Sequence, residues 1–398
     1  MVPRRRFSRR LTAVAAAIAL FFLYHVFSLQ SELESWSPSS NDPRDNGEAR
    51  PYCPPMPGMN DVLVVMKTGV TEARDKVPVH FSTTFRCVPH YVIFSDFEEE
   101  IEGVKVHDVL RTMDSTVKRS VPDFDIYNRL TKGGRKGLEQ DDFADEANSN
   151  MGKPNNPGWK LDKWKFLPMA QEAYRAKPDA KWYVFMEADT YMSWPTLLAW
   201  LARFDPGEPW YLGTETQIAD QIFAHGGSGF MVSNPALKRA SGHYETHRAE
   251  LDKFTNGHWA GDCVLGKVLQ DVGVPLHFSW PVLQNSHPGE LDEFVKELYR
   301  QPWCYISVAL HHLGAQEVKS LWNFEQKRWR NVSFHYLPTP QSRRTLTPPR
   351  IEEEARPPAR RHFPRIHLSR HCLRTHKTEL GQFRRRRTTL RHNLRRLP

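Results

Sequence analysis

KWYVFMEADT, residues 181–190, is the stretch on which the fold turns. Trp182 to Met186 are aromatic, branched or sulfur-bearing apolar residues, the composition of a buried strand, and they run straight into Glu187-Ala188-Asp189-Thr190. Two acids therefore stand at the end of a strand. Just beyond, Ser193 can cap a helix from Trp194 to about Phe204, with Pro195 in its first turn. Upstream, Leu167, Ala170 and Tyr174 are spaced for one helix face ending near Ala176, with Pro168 opening or kinking it. Further strands read at DVLVVM (61–66), HYVIFSD (90–96) and GVKVHDV (103–109), and Asn234-Pro235 opens another helix. Strand and helix alternate, which predicts an α/β fold. The polar segment from Pro122 to Pro157, with its GG, NSN and NNPG clusters, reads as a long loop or insertion that could cover a site.

The formal net charge of +9 belongs to the ends of the 398-residue chain. Residues 331–398 hold 17 Lys+Arg against 4 Asp+Glu, residues 1–10 hold 5 Arg, and residues 11–330 carry 33 basic and 42 acidic side chains. An acidic body argues against a nucleic-acid partner, because phosphate binding needs local Lys and Arg. After the arginines of the 1–10 tail, LTAVAAAIALFFLYHVFSL (11–29) is apolar and long enough to span a bilayer. It exceeds a usual signal-peptide core, and Tyr24, His25 and Phe27 stand where a cleavage site needs small residues. The expectation is an uncleaved anchor with the basic end cytosolic, a type II protein. Residues 30–57 read as a Pro- and Ser-rich stem and 58–332 as the folded domain. Residues 333–398 read as a disordered basic tail, whose abruptness also fits a misread exon. A lumenal body permits disulfides. Of the three pairings open to Cys53, Cys87, Cys263 and Cys304, Cys53–Cys87 with Cys263–Cys304 is preferred.

Two carboxylates one residue apart at a strand end can converge on one hard cation. Alone, such a triplet is more often a solvated strand end. The segment His225-Gly226-Gly227-Ser228-Gly229-Phe230 combines glycines that allow close backbone approach with a strand and a helix directly after it; an ordinary Gly-rich turn is an equal reading. In Gly261-Asp262-Cys263-Val264-Leu265-Gly266 the acid precedes a periodic run, where spacing alone favours a helix cap.

In sequence order, VVMKTG, VIFSD, FMEADTY, GGSGFMVSNPAL and GDCVLG resemble the fringe and core-1 β1,3-galactosyltransferase branch of glycosyltransferase family 31, over roughly residues 60–322. That resemblance implies a GT-A-type, Rossmann-like mixed sheet flanked by helices, a UDP-sugar donor, Mn²⁺ or Mg²⁺, and inversion at the anomeric carbon. The family's metal motif falls on Glu187, Ala188 and Asp189, with Glu where Asp is usual. Its donor segments fall on Lys67, Thr68 and Asp96, while Gly226, Gly227 and Gly229 shape the donor cleft. Its catalytic aspartate falls on Asp262, preceded by Gly261 where an acid is usual. A late histidine falls on His311 as third metal ligand, with His312 second, since neighbouring strand residues face opposite ways. The implied activity is transfer of a hexose, galactose first and N-acetylglucosamine second, to a glycan or glycoprotein hydroxyl in the Golgi or another secretory membrane. The two departures leave open an inert, membrane-tethered carbohydrate-binding protein on the same fold.

Trp159, Trp164, Trp259, Trp280 and Trp303 could stack on sugars, though most large aromatics are core; Trp259, close to Asp262, is the best candidate. Asn331-Val332-Ser333 is an N-glycosylation sequon.

Overall fold

The computed structural model describes residues 51–143, 155–291 and 301–331. The expected anchor, residues 30–50 of the expected stem and the basic tail lie outside them, whereas residues 51–57 of that stem lie within them and carry Cys53. No helix among the described residues is long and apolar enough to cross a membrane.

Eight strands form one sheet: β1 (Val62–Lys67), β2 (Tyr91–Ser95), β3 (Glu99–Ile101), β4 (Val104–Asp108), β5 (Trp182–Glu187), β7 (Tyr211–Gly213), β10 (Phe230–Ser233) and β11 (Leu276–Phe278), in the order β11-β7-β10-β5-β1-β2-β4-β3. Two small pairs join β6 (Tyr191–Met192) to β12 (Ala309–Leu310) and β8 (Glu215–Ile218) to β9 (Gln221–Ala224). The neighbours β5, β1, β2 and β4 are parallel, whereas β10 runs antiparallel to β5 and β7. The fold is α/β, as the alternation of elements predicted, and its sheet is mixed, as the family resemblance implied. A further hairpin strand, β3, turns into β4 through Glu102 and Gly103, both at positive φ, the backbone that a two-residue hairpin turn requires.

The helices that bear on the site and the core are α1 (Asp125–Gly133), α2 (Pro157–Asp162), α3 (Phe166–Ala176), α4 (Trp194–Leu201), α5 (Asn234–Thr246), α6 (Gly261–Asp271) and α7 (Ala315–Asn331). Every residue of β1 is buried because both faces of the sheet are covered, which is why it reads as an unbroken apolar run. Leu63, Val65, Tyr183 and Phe185 pack with α1, α3, α5 and α6 on one face. Val62, Val64, Met66 and Val184 pack with Ala73, Val77, Phe81 and α4 on the other. At the β5–β10 register, Phe185 and Phe230 stand opposite each other with ring centroids 4.7 Å apart. Such a stack contributes about 0.5–1.5 kcal/mol beyond its area and fixes the sheet beside the acids.

The Pro122–Pro157 segment departs from expectation. It contains α1, whose Ile126, Tyr127 and Leu130 are buried, together with Phe124 just ahead of it. Their short apolar stripe was masked by the flanking polar clusters. One expected disulfide forms, Cys53–Cys87, with Cα atoms 5.6 Å apart. The pairing of Cys263 with Cys304 does not: Cys263 is a buried free thiol on α6, packed against Phe223 and Ala260.

Candidate active site

The parallel strands deliver polar residues to one edge of the sheet. Lys67 and Glu187 end β1 and β5 and face each other in register, while Asp96 directly follows β2 and Asp108 ends β4. From β1 the sheet grows towards β2 on one side and towards β5 on the other, and the crevice at such a switch point is where open α/β sheets bind ligands. Because β10 is antiparallel to β5, its entrance, Gly226 to Gly229, lies beside the exit of β5.

Asp189 sits in the turn after β5. Thr190 N–H donates to Glu187 O at 3.1 Å, and the Thr190 hydroxyl donates to Gly227 O at 2.8 Å, joining the acidic turn to the glycines. Beneath it, buried His80 contacts Ala188 O through Nε2 and Thr84 Oγ1 through Nδ1, each at 2.8 Å. Burial lowers the His80 pKa to about 4, so at neutral pH the ring is uncharged, with Nε2–H donating to the carbonyl. The β6–β12 pair and the Leu313 N–H bond to Asp189 O bring the residues after β12 alongside.

His311 Nε2 lies 3.2 Å from Asp189 Oδ1, and His311 Nδ1 lies 3.2 Å from Asn285 Oδ1. His312 does not turn away. Its φ of 61° breaks the strand alternation, and its ring lies 3.9 Å from that of His311, centroid to centroid. Asp189, His311 and His312 each present a ligand atom within 4.8 Å of the others. One carboxylate oxygen with imidazole nitrogens suits Mn²⁺ better than Mg²⁺, which prefers oxygen. Lys76 Nζ holds the other Asp189 oxygen at 3.0 Å. Although burial opposes charge on Asp189, the His311 hydrogen bond and Lys76 keep its pKa well below the carboxylate range.

Glu187 is drawn to the side of this group. Its Oε1 lies 3.2 Å from Lys67 Nζ, and its Oε2 is 3.9 Å from His311 Nε2. Lys67 also pairs with Asp162, whose other oxygen is 2.7 Å from the wholly buried Lys165 ammonium. Lys165 in turn donates to Thr68 O at 2.9 Å and lies 3.4 Å from Asp96 Oδ2. Burial disfavours the Lys67 charge, but Asp162 and Glu187 outweigh it and raise the pKa. Asp96 Oδ1 accepts from Val70 N–H at 2.7 Å, yet Asp96 Oδ2 and Thr68 Oγ1 are buried without a hydrogen-bond partner among the described residues. Buried polar atoms of this kind ordinarily have one.

Asp262 is the second residue of α6, and Ala260, not Asp262, is the cap residue. Asp262 Oδ2 accepts from Gly226 N–H and Oδ1 from Cys263 N–H, both at 2.9 Å. Burial raises its pKa to about 6 against those two donors, with Glu187 adding to the rise. A side chain on Gly261 would meet Phe166 and come within 2.6 Å of Lys163 Cα. This close approach accounts for a glycine at 261, where the family resemblance implies an acid.

The two glycines bridge the acids and the histidines. A Cβ on Gly226 would lie 3.2 Å from Glu187 Oε1 and 3.5 Å from Asp262 Oδ2, and one on Gly227 would overlap the His311 ring. Gly229 has φ +74°, the left-handed region that glycine tolerates best. Gly227→Ala is therefore expected to displace His311 and destabilise the fold by about 1–3 kcal/mol, with a matching loss of Mn²⁺ affinity. Mn²⁺ titration and thermal melting of that variant check this; unchanged metal affinity would refute His311 as a ligand held by the glycine.

The sequence did not single out Lys76, His80, Asp162, Lys165, Asn285 or the role of Thr190. Only Thr190 carried a local signal, as the residue closing the turn of its own acidic motif.

The sequence profile of the Fringe-like family matches residues 58–340. A human (Homo sapiens) chondroitin sulfate glucuronyltransferase is 28% identical over 91 residues, which are 22% of this chain and 12% of that protein. The similarity thus spans about an eighth of that relative's length.

Proposed function

Given that the chain belongs to the Fringe-like family, we propose that it is an inverting, Mn²⁺-dependent glycosyltransferase that moves a hexose from UDP to a glycan hydroxyl. The observation that carries this reading is the meeting of two groups across Gly226 and Gly227: Asp189, His311 and His312 on one side, and Asp262 on the other. Bound by Asp189 and His311, with His312 and Glu187 at its edge, the metal would neutralise charge on the departing diphosphate.

Asp262 accepts the proton of the acceptor hydroxyl as that oxygen attacks the anomeric carbon from the face opposite UDP. Lys67, Thr68 and Asp96 serve the nucleotide, which gives Thr68 Oγ1, a buried hydroxyl without a hydrogen bond among the described residues, something to bind, while Asp96 Oδ2 has only the Lys165 ammonium 3.4 Å away. Galactose is the favoured sugar and N-acetylglucosamine the second. The relative reported above is named a chondroitin sulfate glucuronyltransferase, so UDP-glucuronic acid belongs in the same panel. A type II anchor at 11–29 would place the domain from 58 onward in the Golgi lumen, where the Cys53–Cys87 bridge is chemically at home. This topology, with a stem at 30–57 and a basic tail after 332, is part of the proposal.

Release of UDP from a panel of UDP-sugars, with and without Mn²⁺, tests the reading. Turnover of one donor, dependent on Mn²⁺, is expected. With Asp262 raised to about 6, kcat/KM should fall about tenfold per pH unit below that value, because the base must be ionised. The pairing of Glu187 with Lys67 favours a second reading, an inert carbohydrate-binding protein. Saccharide binding without any UDP release would select it.

A further inference from the structure

Trp159 and Trp259 come from distant parts of the chain and lie nearly parallel, their ring centroids 6.1 Å apart and their planes inclined by 25°. Of the tryptophans among the described residues, only Trp259 and Trp303 are exposed. Trp159 is half-buried, on α2, where Asn156 caps the helix by accepting from Trp159 N–H at 2.8 Å. Trp259 stands three residues before Asp262, on the turn that enters α6. The two mounts are pressed together, since Gly261 meets Phe166 and the Lys163 backbone just after α2. The aromatic surface is thus fixed to the base through a few residues of rigid chain. It is also tied, through Asp162 at the end of α2, to the Lys67 pair.

An aromatic pair left partly exposed forgoes burial worth about 25 cal/mol per Å², and exposed apolar surface beside a polar cleft commonly marks a ligand face. The faces of a pyranose carry axial C–H groups that pack flat on an indole, while its hydroxyls remain free to meet polar partners. We infer that Trp159 and Trp259 form the platform on which a pyranose ring of the acceptor stacks, setting its hydroxyl before Asp262. The assignment deepens the glycosyltransferase reading and rests on its placement of Asp262 as the base. The nucleotide is the competing occupant, but its proposed contacts, Lys67, Thr68 and Asp96, lie on the strand ends.

The test is a calorimetric titration of the full chain in detergent with methyl glycosides of galactose, glucose, N-acetylglucosamine, N-acetylgalactosamine, mannose and fucose, with UDP and Mn²⁺ present. At least one glycoside should bind. Trp259→Ala should weaken that binding about tenfold or more, Trp159→Ala by a smaller factor, and Trp259→Phe should retain most of it, while UDP affinity stays within about twofold in all three. If no glycoside binds the unaltered chain although UDP does, or if Trp259→Ala binds as tightly, the platform is refuted and the donor reading stands. A parallel fall in UDP affinity would assign the pair to the nucleotide and also refute it. Failure of UDP to bind the unaltered chain, with glycosides still bound and lost in Trp259→Ala, would overturn the transferase reading and leave the platform in place.

Discussion

Asp262→Asn is expected to lower sugar transfer by about 10²–10⁴-fold, the usual contribution of a positioned base, while UDP affinity in Mn²⁺ changes by less than about twofold. The amide keeps the size of the side chain, and its one oxygen can still accept from either Gly226 N–H or Cys263 N–H. It cannot take a proton. Stability should move the other way. The folded-state pKa of about 6 lies above the usual carboxylate value, so folding favours the protonated form. That contribution is complete at acid pH and is lost as pH rises through 6, leaving a cost at pH 7 that the neutral amide avoids. The melting temperature of Asp262→Asn at pH 7 should therefore hold or rise. Rate, UDP titration and melting measured on one preparation decide the matter. A lower melting temperature with proportionate loss of UDP binding would mean that Asp262 acts only as a structural acceptor.

Asp189→Ala should abolish the tightening of UDP binding by Mn²⁺ and cut transfer by more than about 100-fold. The backbone around it is held by bonds the substitution leaves alone, Leu313 N–H to Asp189 O and Thr190 N–H to Glu187 O, so a folded protein is expected. Glu187→Ala should cost less than Asp189→Ala, because one Glu187 oxygen is engaged by Lys67 and the other stands 3.9 Å from His311. UDP titration with and without Mn²⁺, beside single-turnover rates, separates the two variants. Equal effects would restore Glu187 to the ligand group, and a retained Mn²⁺ response in Asp189→Ala would remove Asp189 from it.

Much of the fold was legible because its signals are local. The strands at 61–66, 90–96 and 181–186 stand within a residue of β1, β2 and β5, since a strand buried on both faces must be apolar along its whole length. The starts of α4 and α5 were equally clear, because a proline in the first turn acts within a few residues; the expected cap by Ser193 does not form, since its hydroxyl donates to Glu325 instead. α1 was not, as its apolar face is short and polar clusters surround it.

The sequence by itself determined which elements exist and that an acidic pair ends one strand, because periodicity and side-chain chemistry are properties of neighbours along the chain. Only the tertiary structure decided which groups meet. β10 running antiparallel to β5 brings Gly226 and Gly227 between Asp262 and His311, and a left-handed His312 keeps both imidazoles near Asp189. Lys67 drew Glu187 aside, and Asp162, Lys165, Lys76 and His80 arrived from elements with no pattern to announce them. Charges that compete for partners in a crevice are sorted by distance and burial, and neither is encoded in spacing along one strand.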